Sequence, residues 1–150
     1  MTAPLEGVEP QTIYYDDMKI GQKESLTHKV TESDISAFAD LTGDHNPVHI
    51  DKAYGAASRF GSNIAHGIYT ASLLSAIIGM RLPGPGSIYV SQNLQFKAPV
   101  HVGDTVTVTA TVKDLQDKGR RVTLDCTAEV DGRIVMSGEG IVMAPKKPAA

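Results

Sequence analysis

The spacing of apolar residues between Thr31 and Gly43 predicts an amphipathic helix. Ile35, Phe38 and Ala39 recur at the intervals of one helical face. Thr31 begins the segment as an N-cap, and an aspartate three positions later stands where a capping box usually has glutamate. Gly43 is placed to end the helix as its C′ residue, so the chain turns directly off this helix into the next segment.

A second helix is predicted between Gly67 and Met80, and it is apolar on nearly every side. A helix of this composition is normally covered by other structure, so we expect it at the centre of the fold. Two prolines and two glycines in residues 83–86 end it, because they cannot continue helical hydrogen bonding.

The rest of the chain alternates between apolar and polar residues, which predicts strands. The alternation is regular in residues 105–112 and 122–130, and further strand-like runs cover 87–96 and 138–143. Asp131-Gly132 is typical of a hairpin turn. The predicted fold class is therefore α+β, with a curled antiparallel sheet, apolar on one face, wrapped around the long central helix.

The 150 residues contain no internal repeat and no linker rich in Gly, Ser or Pro. Prolines and glycines near both termini indicate loose ends at about residues 1–12 and 145–150. We therefore predict a single domain over residues 1–150, long enough to fold without disulfides or structural metals.

The composition of the chain limits the kinds of molecule that it is expected to bind. The chain carries 14 Lys and Arg against 17 Asp and Glu, so it has no basic excess with which to bind nucleic acid. The longest apolar stretch, residues 64–82, is interrupted too often by polar residues to span a membrane. The single cysteine, Cys126, has no partner for an internal disulfide, and the first 11 residues lack the features of a secretory signal. We expect a cytoplasmic protein that binds neither nucleic acid nor membranes.

Residues 43–49 contain two side chains that are candidates for acid/base catalysis. Asp44 and His49 stand five positions apart around an Asn46-Pro47 turn, which gives a carboxylate and an imidazole in one small loop. Gly67 then opens the apolar helix, whose first amides would be free to bind an oxyanion. A proton-transfer pair beside an anion site suggests carbonyl chemistry.

Four segments resemble the MaoC-like, hot-dog-fold (R)-specific enoyl-CoA hydratases, and the likeness covers roughly residues 18–144. They are Asp44–Asp51, Ile64–Gly67, Gly86–Tyr89 and Phe96–Asp104. The resemblance implies reversible syn addition of water to a trans-2-enoyl-CoA, giving the (R)-3-hydroxyacyl thioester. It further implies a homodimer with its sheets joined edge to edge and the pocket at the subunit interface. No cofactor is expected, because coenzyme A is part of the substrate.

The resemblance also assigns roles to residues. Asp44 and His49 match the catalytic pair, Gly67 the oxyanion amide, and Ser75 a serine beside the active site. Leu74 or Ile78 is expected to limit the acyl chain, and the candidates to meet the phosphates of coenzyme A are Arg81, Lys97, Arg120 and Arg121. The main expected substrate-binding residues are Asn46, His66, Leu74, Ile78, Arg81 and Lys97.

The sequence leaves other interpretations open. Asp44 could simply accept amide hydrogen bonds in an Asn-Pro turn, and His66 could pack at the helix start without touching substrate. Ser75 could bond back to its own helix. A metal site built from His45, His49 and Asp44 is disfavoured, because the proline between the two histidines breaks the helical spacing that would aim both rings at one ion. Cys126 fits a core position better than a nucleophile.

Two rival functions also stay open, an acyl-thioesterase on the same fold and a catalytically silent acyl-CoA or partner-binding module. The hydratase is favoured over both, since neither rival needs this Asp-Asn-Pro-His arrangement. The sequence does not assign which of Asp44 and His49 is the acid and which the base. It also does not give the acyl chain length, or the choice between coenzyme A and acyl carrier protein.

Overall fold

The structure of the protein is a computed structural model, and it describes residues 8–149. Four α-helices and six strands follow one another in the order β1-α1-α2-α3-α4-β2-β3-β4-β5-β6. The helices are α1 (Glu32–Thr42), α2 (Pro47–Ile50), α3 (Lys52–Ala57) and α4 (Gly67–Met80). The strands are β1 (Lys23–Lys29), β2 (Ile88–Gln92), β3 (Gln95–Phe96), β4 (Thr105–Gln116), β5 (Arg121–Val130) and β6 (Arg133–Met143).

All strands join one antiparallel sheet in the order β1-β4-β5-β6-β2, and β3 also pairs with β6. The alternation predicted for β4 and β5 is present, with every second residue buried on the face that meets the core. The hairpin between β5 and β6 turns at Asp131 and Gly132, which have φ of 50° and 77°. A two-residue turn of the favoured type needs positive φ at both positions, and this explains why the Asp-Gly pair occurs there.

Helix α1 begins and ends where its sequence predicts. The Thr31 side chain accepts from the Asp34 N–H while the Asp34 side chain accepts from the Thr31 N–H, which completes the capping box. Gly43 follows in the left-handed region with φ of 83°, and its N–H donates to the Ala39 carbonyl. These two caps fix the direction in which the chain enters residues 44–49.

Helix α4 packs its apolar side against the sheet, with Leu74 and Ile77 fully buried between helix and strands. The opposite side is not covered by residues 8–149, and Ile68 there is 61% exposed. Ser72, Ser75 and Gly79 continue this exposed stripe along the helix. The sheet therefore covers one side of the central helix and leaves the other open.

Two features were not predicted. Strand β1 pairs along its whole length with β4, yet only Leu26 of its seven residues is buried. An edge strand of this kind lacks the apolar alternation by which strands are found. The proline turn at residue 47 is also the start of a helix, α2.

The predicted loose ends are shorter than expected. The Gln11 N–H donates to the Met80 carbonyl at 2.8 Å, and the Tyr15 N–H donates to the Pro145 carbonyl at 3.1 Å. These bonds tie both terminal segments to the domain, so the prediction is wrong at Gln11 and Pro145. Residues 1–7 and 150, which were also predicted to be loose, lie outside the described residues.

Among residues 8–149, none of the helices is long and apolar enough to cross a lipid bilayer.

Candidate active site

Asp44, His49 and His66 come together at the N-terminal end of α4. One nitrogen or carboxylate oxygen from each of the three side chains lies within 4.8 Å of the others. Asp44 follows the C-cap of α1, His49 lies in α2, and His66 is the N-cap residue of α4. Three separate segments of the chain therefore bring these side chains together beside the start of α4.

Local caps fix the loop that carries the first two residues. Asn46 is the N-cap of α2, and its side-chain oxygen accepts from the Val48 N–H at 3.1 Å. Pro47 occupies the first helical position, where its missing N–H costs nothing. Asn46 was predicted to bind substrate, and here its side chain serves as a cap.

His49 is held in one orientation by a backbone carbonyl. Its Nδ1 lies 2.7 Å from the Ile64 oxygen, which can only accept, so Nδ1 carries the proton. In the neutral ring, Nε2 then keeps its lone pair and is able to accept a proton. Burial lowers the pKa of His49 below its ordinary value. Because its pKa is lowered, His49 is neutral at physiological pH.

Asp44 has one oxygen engaged in the turn and one directed towards the cluster. Its Oδ1 accepts from the Asn46 N–H at 3.2 Å, as the turn interpretation anticipated. Its Oδ2 lies 4.0 Å from His66 Nε2, and the side chain is 52% exposed. The carboxylate can therefore hold a water molecule while it stabilises the turn.

His66 is the most enclosed member of the cluster, with 3% of its surface exposed. Its ring stacks on His49, with centroids 3.8 Å apart, and contacts Phe38 on α1 at 4.9 Å. His66 Nε2 lies 3.0 Å from the Asp44 carbonyl oxygen. The packing interpretation of His66 describes these contacts better than substrate binding does.

Gly67 presents a backbone N–H at the start of α4. His66 makes no side-chain cap bond, and the Gly67 N–H has no hydrogen-bond acceptor within residues 8–149. The ring of Phe96 lies so close that a Cβ at Gly67 would be 2.9 Å from Phe96 Cε1. Only glycine fits between the helix start and this ring without displacing it.

A cavity of about 300 Å³ opens beside this glycine. Its walls are mainly apolar, with Arg59 and Lys97 as its two cationic residues. The lining residues are Arg59, Phe60, Ile64, Ala65, Gly67, Thr70, Phe96, Lys97, Ala98, Pro99, Val100, Val135 and Met136. Such a space suits an acyl chain with a polar group at its mouth.

The acid/base pair adjoins this cavity without lining it. Ile64 connects the two, because it lines the cavity while its carbonyl orients His49. His49 itself borders a smaller hollow of about 80 Å³ beside Glu32 and Lys52. Within one chain, the proton-transfer groups therefore lie next to the cavity, with Ile64 between them and the cavity.

Leu74, Ile78 and Arg81 are predicted substrate contacts that the structure places elsewhere. Leu74 and Ile78 are 1% and 2% exposed and face the sheet, so they do not line the cavity. Arg81 pairs with Glu24 at 3.2 Å at the opposite end of α4, about 20 Å from Gly67 along the helix. None of these three side chains lines this cavity, because the helix turns them away from it.

Lys97 lines the cavity, and its role as a phosphate contact stays a prediction. Ser75 lies on the exposed side of α4, two turns beyond Gly67. Arg59 and Phe60 were missed, and Arg59 lies over the Phe60 ring at 5.2 Å. Their signal in the sequence is a basic and an aromatic residue shortly before the Ile64–Gly67 segment.

The cluster has the donor types of a metal site, but the His66 nitrogen nearest Asp44 is already engaged in a hydrogen bond. Within residues 8–149, Asp44, His49 and His66 are the only group of three such donors close enough for one ion. The Nε2 of His66 is occupied as a donor to the Asp44 carbonyl, so one ligand is lacking in this arrangement. His45, considered from the sequence, contacts Asp40 at 3.0 Å instead.

Known proteins resemble this chain in sequence and in fold. The profile of the MaoC like domain matches residues 17–133. A 3-hydroxybutyryl-CoA dehydratase of Methylorubrum extorquens is 45% identical over 142 residues, which are 95% of this chain and 90% of that protein. An (R)-specific enoyl-CoA hydratase of Rhodospirillum rubrum is 48% identical over 134 residues, which are 89% and 93% of the two chains.

A solved structure, the unliganded R-hydratase PhaJ1 of Pseudomonas aeruginosa, superposes with a TM-score of 0.89 at 40% identity. The match covers 92% of this chain and 89% of that one. The predicted hot-dog arrangement of sheet and helix is confirmed by this likeness.

Proposed function

The chain belongs to the MaoC like domain family, and from this premise we propose how its residues carry out the reaction. It is a hydro-lyase, an (R)-specific enoyl-CoA hydratase that adds water reversibly to a trans-2-enoyl-CoA. The product is the (R)-3-hydroxyacyl-CoA. The dehydratase activity named for one relative is the same reaction in reverse.

We propose that His49 moves the proton. Water lies between Asp44 Oδ2 and His49 Nε2, and its oxygen bonds to C3 as Nε2 accepts one of its protons. The electron pair of the C2–C3 double bond passes into the thioester and forms an enolate. C2 then takes the proton back from His49. Both new bonds form on the same face, because one group removes and returns the proton, and the addition is therefore syn.

Asp44 orients the water and offsets the positive charge of protonated His49. The Gly67 N–H receives the enolate oxygen, and this donor stabilises the transition state more than the substrate because the charge develops only there. The step is complete without a metal ion or an organic cofactor. The orientation of His49 by the Ile64 carbonyl, with Nε2 left as an acceptor, is the observation that supports this assignment most directly.

The phosphates of coenzyme A are proposed to meet Lys97 and Arg59. Both residues are exposed and line the cavity that Gly67 borders. Guanidinium and ammonium groups are the usual partners of phosphate, and the distance from thioester to phosphates requires cations outside the acyl pocket. The predicted role of Lys97 is kept, and Arg59 replaces Arg81.

A homodimer is proposed as the active form. Strand β2 is an edge of the sheet, and its residues Ile88, Tyr89 and Val90 are exposed apolar side chains. An open, apolar edge strand favours pairing with another strand. A second protomer against this edge and the exposed side of α4 would also enclose the substrate between cavity and acid/base pair. Sedimentation equilibrium of the wild type and of Val90→Lys tests this, and a monomeric, fully active wild type would contradict it.

A cytoplasmic location is proposed on the state of the one cysteine. Cys126 is buried as a free thiol in the core, and burial raises its pKa to about 11. Such a residue contributes packing only and needs no oxidising compartment.

Crotonyl-CoA tests the proposed function. Loss of enoyl absorbance without free thiol, with (R)-3-hydroxybutyryl-CoA as the product, is the expected result. Free thiol would identify a thioesterase, and binding without turnover would identify a binding module. His45→Gln is the matched control, because this histidine lies in the same loop with its ring directed at Asp40.

A further inference from the structure

We propose that His66 is a positioning residue for this reaction, a neutral imidazole that fixes both members of the acid/base pair through one ring. The inference rests on the proposed function of Asp44 and His49. It concerns a side chain that lies outside the cavity and touches the two catalytic groups instead of the substrate.

The contact with Asp44 is made to its backbone. His66 Nε2 lies 3.0 Å from the Asp44 carbonyl oxygen, and a carbonyl only accepts, so Nε2 carries the proton. This bond spans from the start of α4 to the end of α1. It fixes the main chain from which the Asp44 carboxylate projects, and therefore the place of the water that the carboxylate holds.

The other ring nitrogen defines the charge state. His66 Nδ1 is buried and has no hydrogen-bond partner within residues 8–149. Protonating it would create a buried N–H without an acceptor and a charge without solvent, and each is costly. His66 is therefore held as the neutral Nε2–H tautomer, with a bare lone pair on Nδ1.

The contact with His49 is made through the ring face. The two rings stack with centroids 3.8 Å apart and planes 28° apart, and Phe38 closes the other side of His66. The stack restricts the rotation of His49 about the bond that sets the direction of Nε2. A neutral His66 also allows His49 to take up a proton, since two stacked imidazolium rings would repel each other.

Three substitutions separate the two contacts. His66→Gln keeps an N–H donor at a similar reach for the Asp44 carbonyl but removes the ring. His66→Phe keeps the ring and removes the donor, and His66→Leu removes both. We expect kcat to fall about 10-fold in each of the first two and about 100-fold in the third, because small misplacements of catalytic groups have effects of this size. KM for crotonyl-CoA should stay within about twofold, since the residue touches no substrate.

Two readouts distinguish positioning from a merely structural role. Asp44 and His49 are the titratable groups that face His66. Loss of the ring in His66→Gln or His66→Leu should let water reach His49 and weaken the burial that lowers its pKa. The acid limb of kcat/KM should then move to higher pH, whereas a structural role would lower only Tm. In the wild type, imidazole nitrogen NMR should report the Nε2–H tautomer of His66.

The outcomes are separable from those of the proposed function. An inactive wild type contradicts the hydratase assignment, whereas the tautomer measurement stands without turnover. An Nδ1–H tautomer of His66, or folded His66→Leu with unchanged kcat and acid limb, would overturn the positioning role. If His66→Leu fails to fold, the Gln and Phe variants decide in the same way.

Discussion

The two ends of helix α4 are both apolar in sequence, but they differ in whether their backbone hydrogen-bonding groups have partners. At the C-terminal end, the carbonyl oxygens of Ile77, Ile78 and Met80 accept backbone hydrogen bonds from the chain that follows or from the N-terminal segment. At the N-terminal end, the Gly67 N–H has no acceptor within residues 8–149, and Gly67 lines the cavity. Neighbouring segments satisfy the backbone acceptors at the C-terminal end, which we call the closed end. The N-terminal end, which we call the open end, keeps an N–H donor without an acceptor among residues 8–149.

Charged side chains follow the same division. Arg81 at the closed end is paired with Glu24 and also donates to the Glu9 carbonyl, so its guanidinium is used by the protein itself. Lys97 at the open end lines the cavity. The difference teaches that an unsatisfied group at a helix terminus indicates function, whereas a satisfied one indicates stability.

The largest effect is expected from the acid/base pair at the open end. His49→Gln and Asp44→Asn should each lower kcat by about 100-fold or more, because each removes a proton-transfer or water-holding group. Steady-state kinetics with crotonyl-CoA measures the loss, and circular dichroism checks that the fold survives. A near-normal rate in either folded variant would refute the assignment.

The Gly67 amide can be tested by a matched pair of substitutions. Gly67→Pro removes the N–H at a helix position that tolerates proline, and Gly67→Ala keeps it. Both add a Cβ next to the Phe96 ring, so the steric cost is shared. The proline variant should be about 100-fold slower than the alanine variant, the size expected for a lost oxyanion donor. Equal rates in the two variants would exclude this amide from catalysis.

The pH profile should show where His49 titrates. Its pKa is lowered by burial, so Nε2 stays unprotonated throughout neutral pH and becomes protonated only below the ordinary value of about 6.5. We expect kcat/KM to be level near neutrality and to fall about tenfold per pH unit below that pKa. The limb should be absent from the residual activity of His49→Gln. A midpoint above the ordinary value would show that His49 is stabilised as a cation instead.

The cations at the open end should affect binding more than turnover. Lys97→Ala and Arg59→Ala are each expected to raise KM for crotonyl-CoA by about 3- to 10-fold, because each removes a phosphate partner worth about 1 kcal/mol. The same variants should use the crotonyl thioester of N-acetylcysteamine, which lacks phosphates, as well as the wild type does. An equal loss with both substrates would point to a disturbed pocket.

The smallest kinetic effect is expected at the closed end. Arg81→Met should leave kcat and KM for crotonyl-CoA unchanged, since Arg81 is turned away from the cavity. Its pair with Glu24 is partly exposed, and losing it should lower the free energy of unfolding by about 1 kcal/mol or less. Urea denaturation measures that change. A rise in KM equal to that of Lys97→Ala would restore Arg81 as a phosphate contact and remove the contrast between the two ends.

Much of the local structure could be predicted from the chain. The capping box at Thr31 and the left-handed position at Gly43 are local features, and they bound α1 as predicted. The alternation in β4 and β5 likewise reflects one buried and one exposed face. Strand β1 escaped prediction because its partner β4 is distant in sequence and its own residues are mostly polar.

Some residues of the candidate site could likewise be predicted from the sequence, and others could not. Asp44 and His49 could be predicted to lie close together because they belong to one short loop. The free amide of Gly67 could be predicted because this residue begins a helix. Leu74 and Ile78 were predicted to contact substrate, but they face the sheet. A helix that is apolar all round gives no indication of which side will be covered, so its sequence could not separate core residues from pocket residues.

Helices α1 and α4, most of the strands and the presence of an acid and a base in one loop could be predicted from the sequence, because caps, turns and periodicity act over a few residues. The tertiary structure decided which side of α4 meets the sheet, which of its ends stays open, and that His66 links the loop of Asp44 to the ring of His49. Those features depend on contacts between segments far apart in the chain. Packing alone sets the distances between such segments, and no local pattern encodes them.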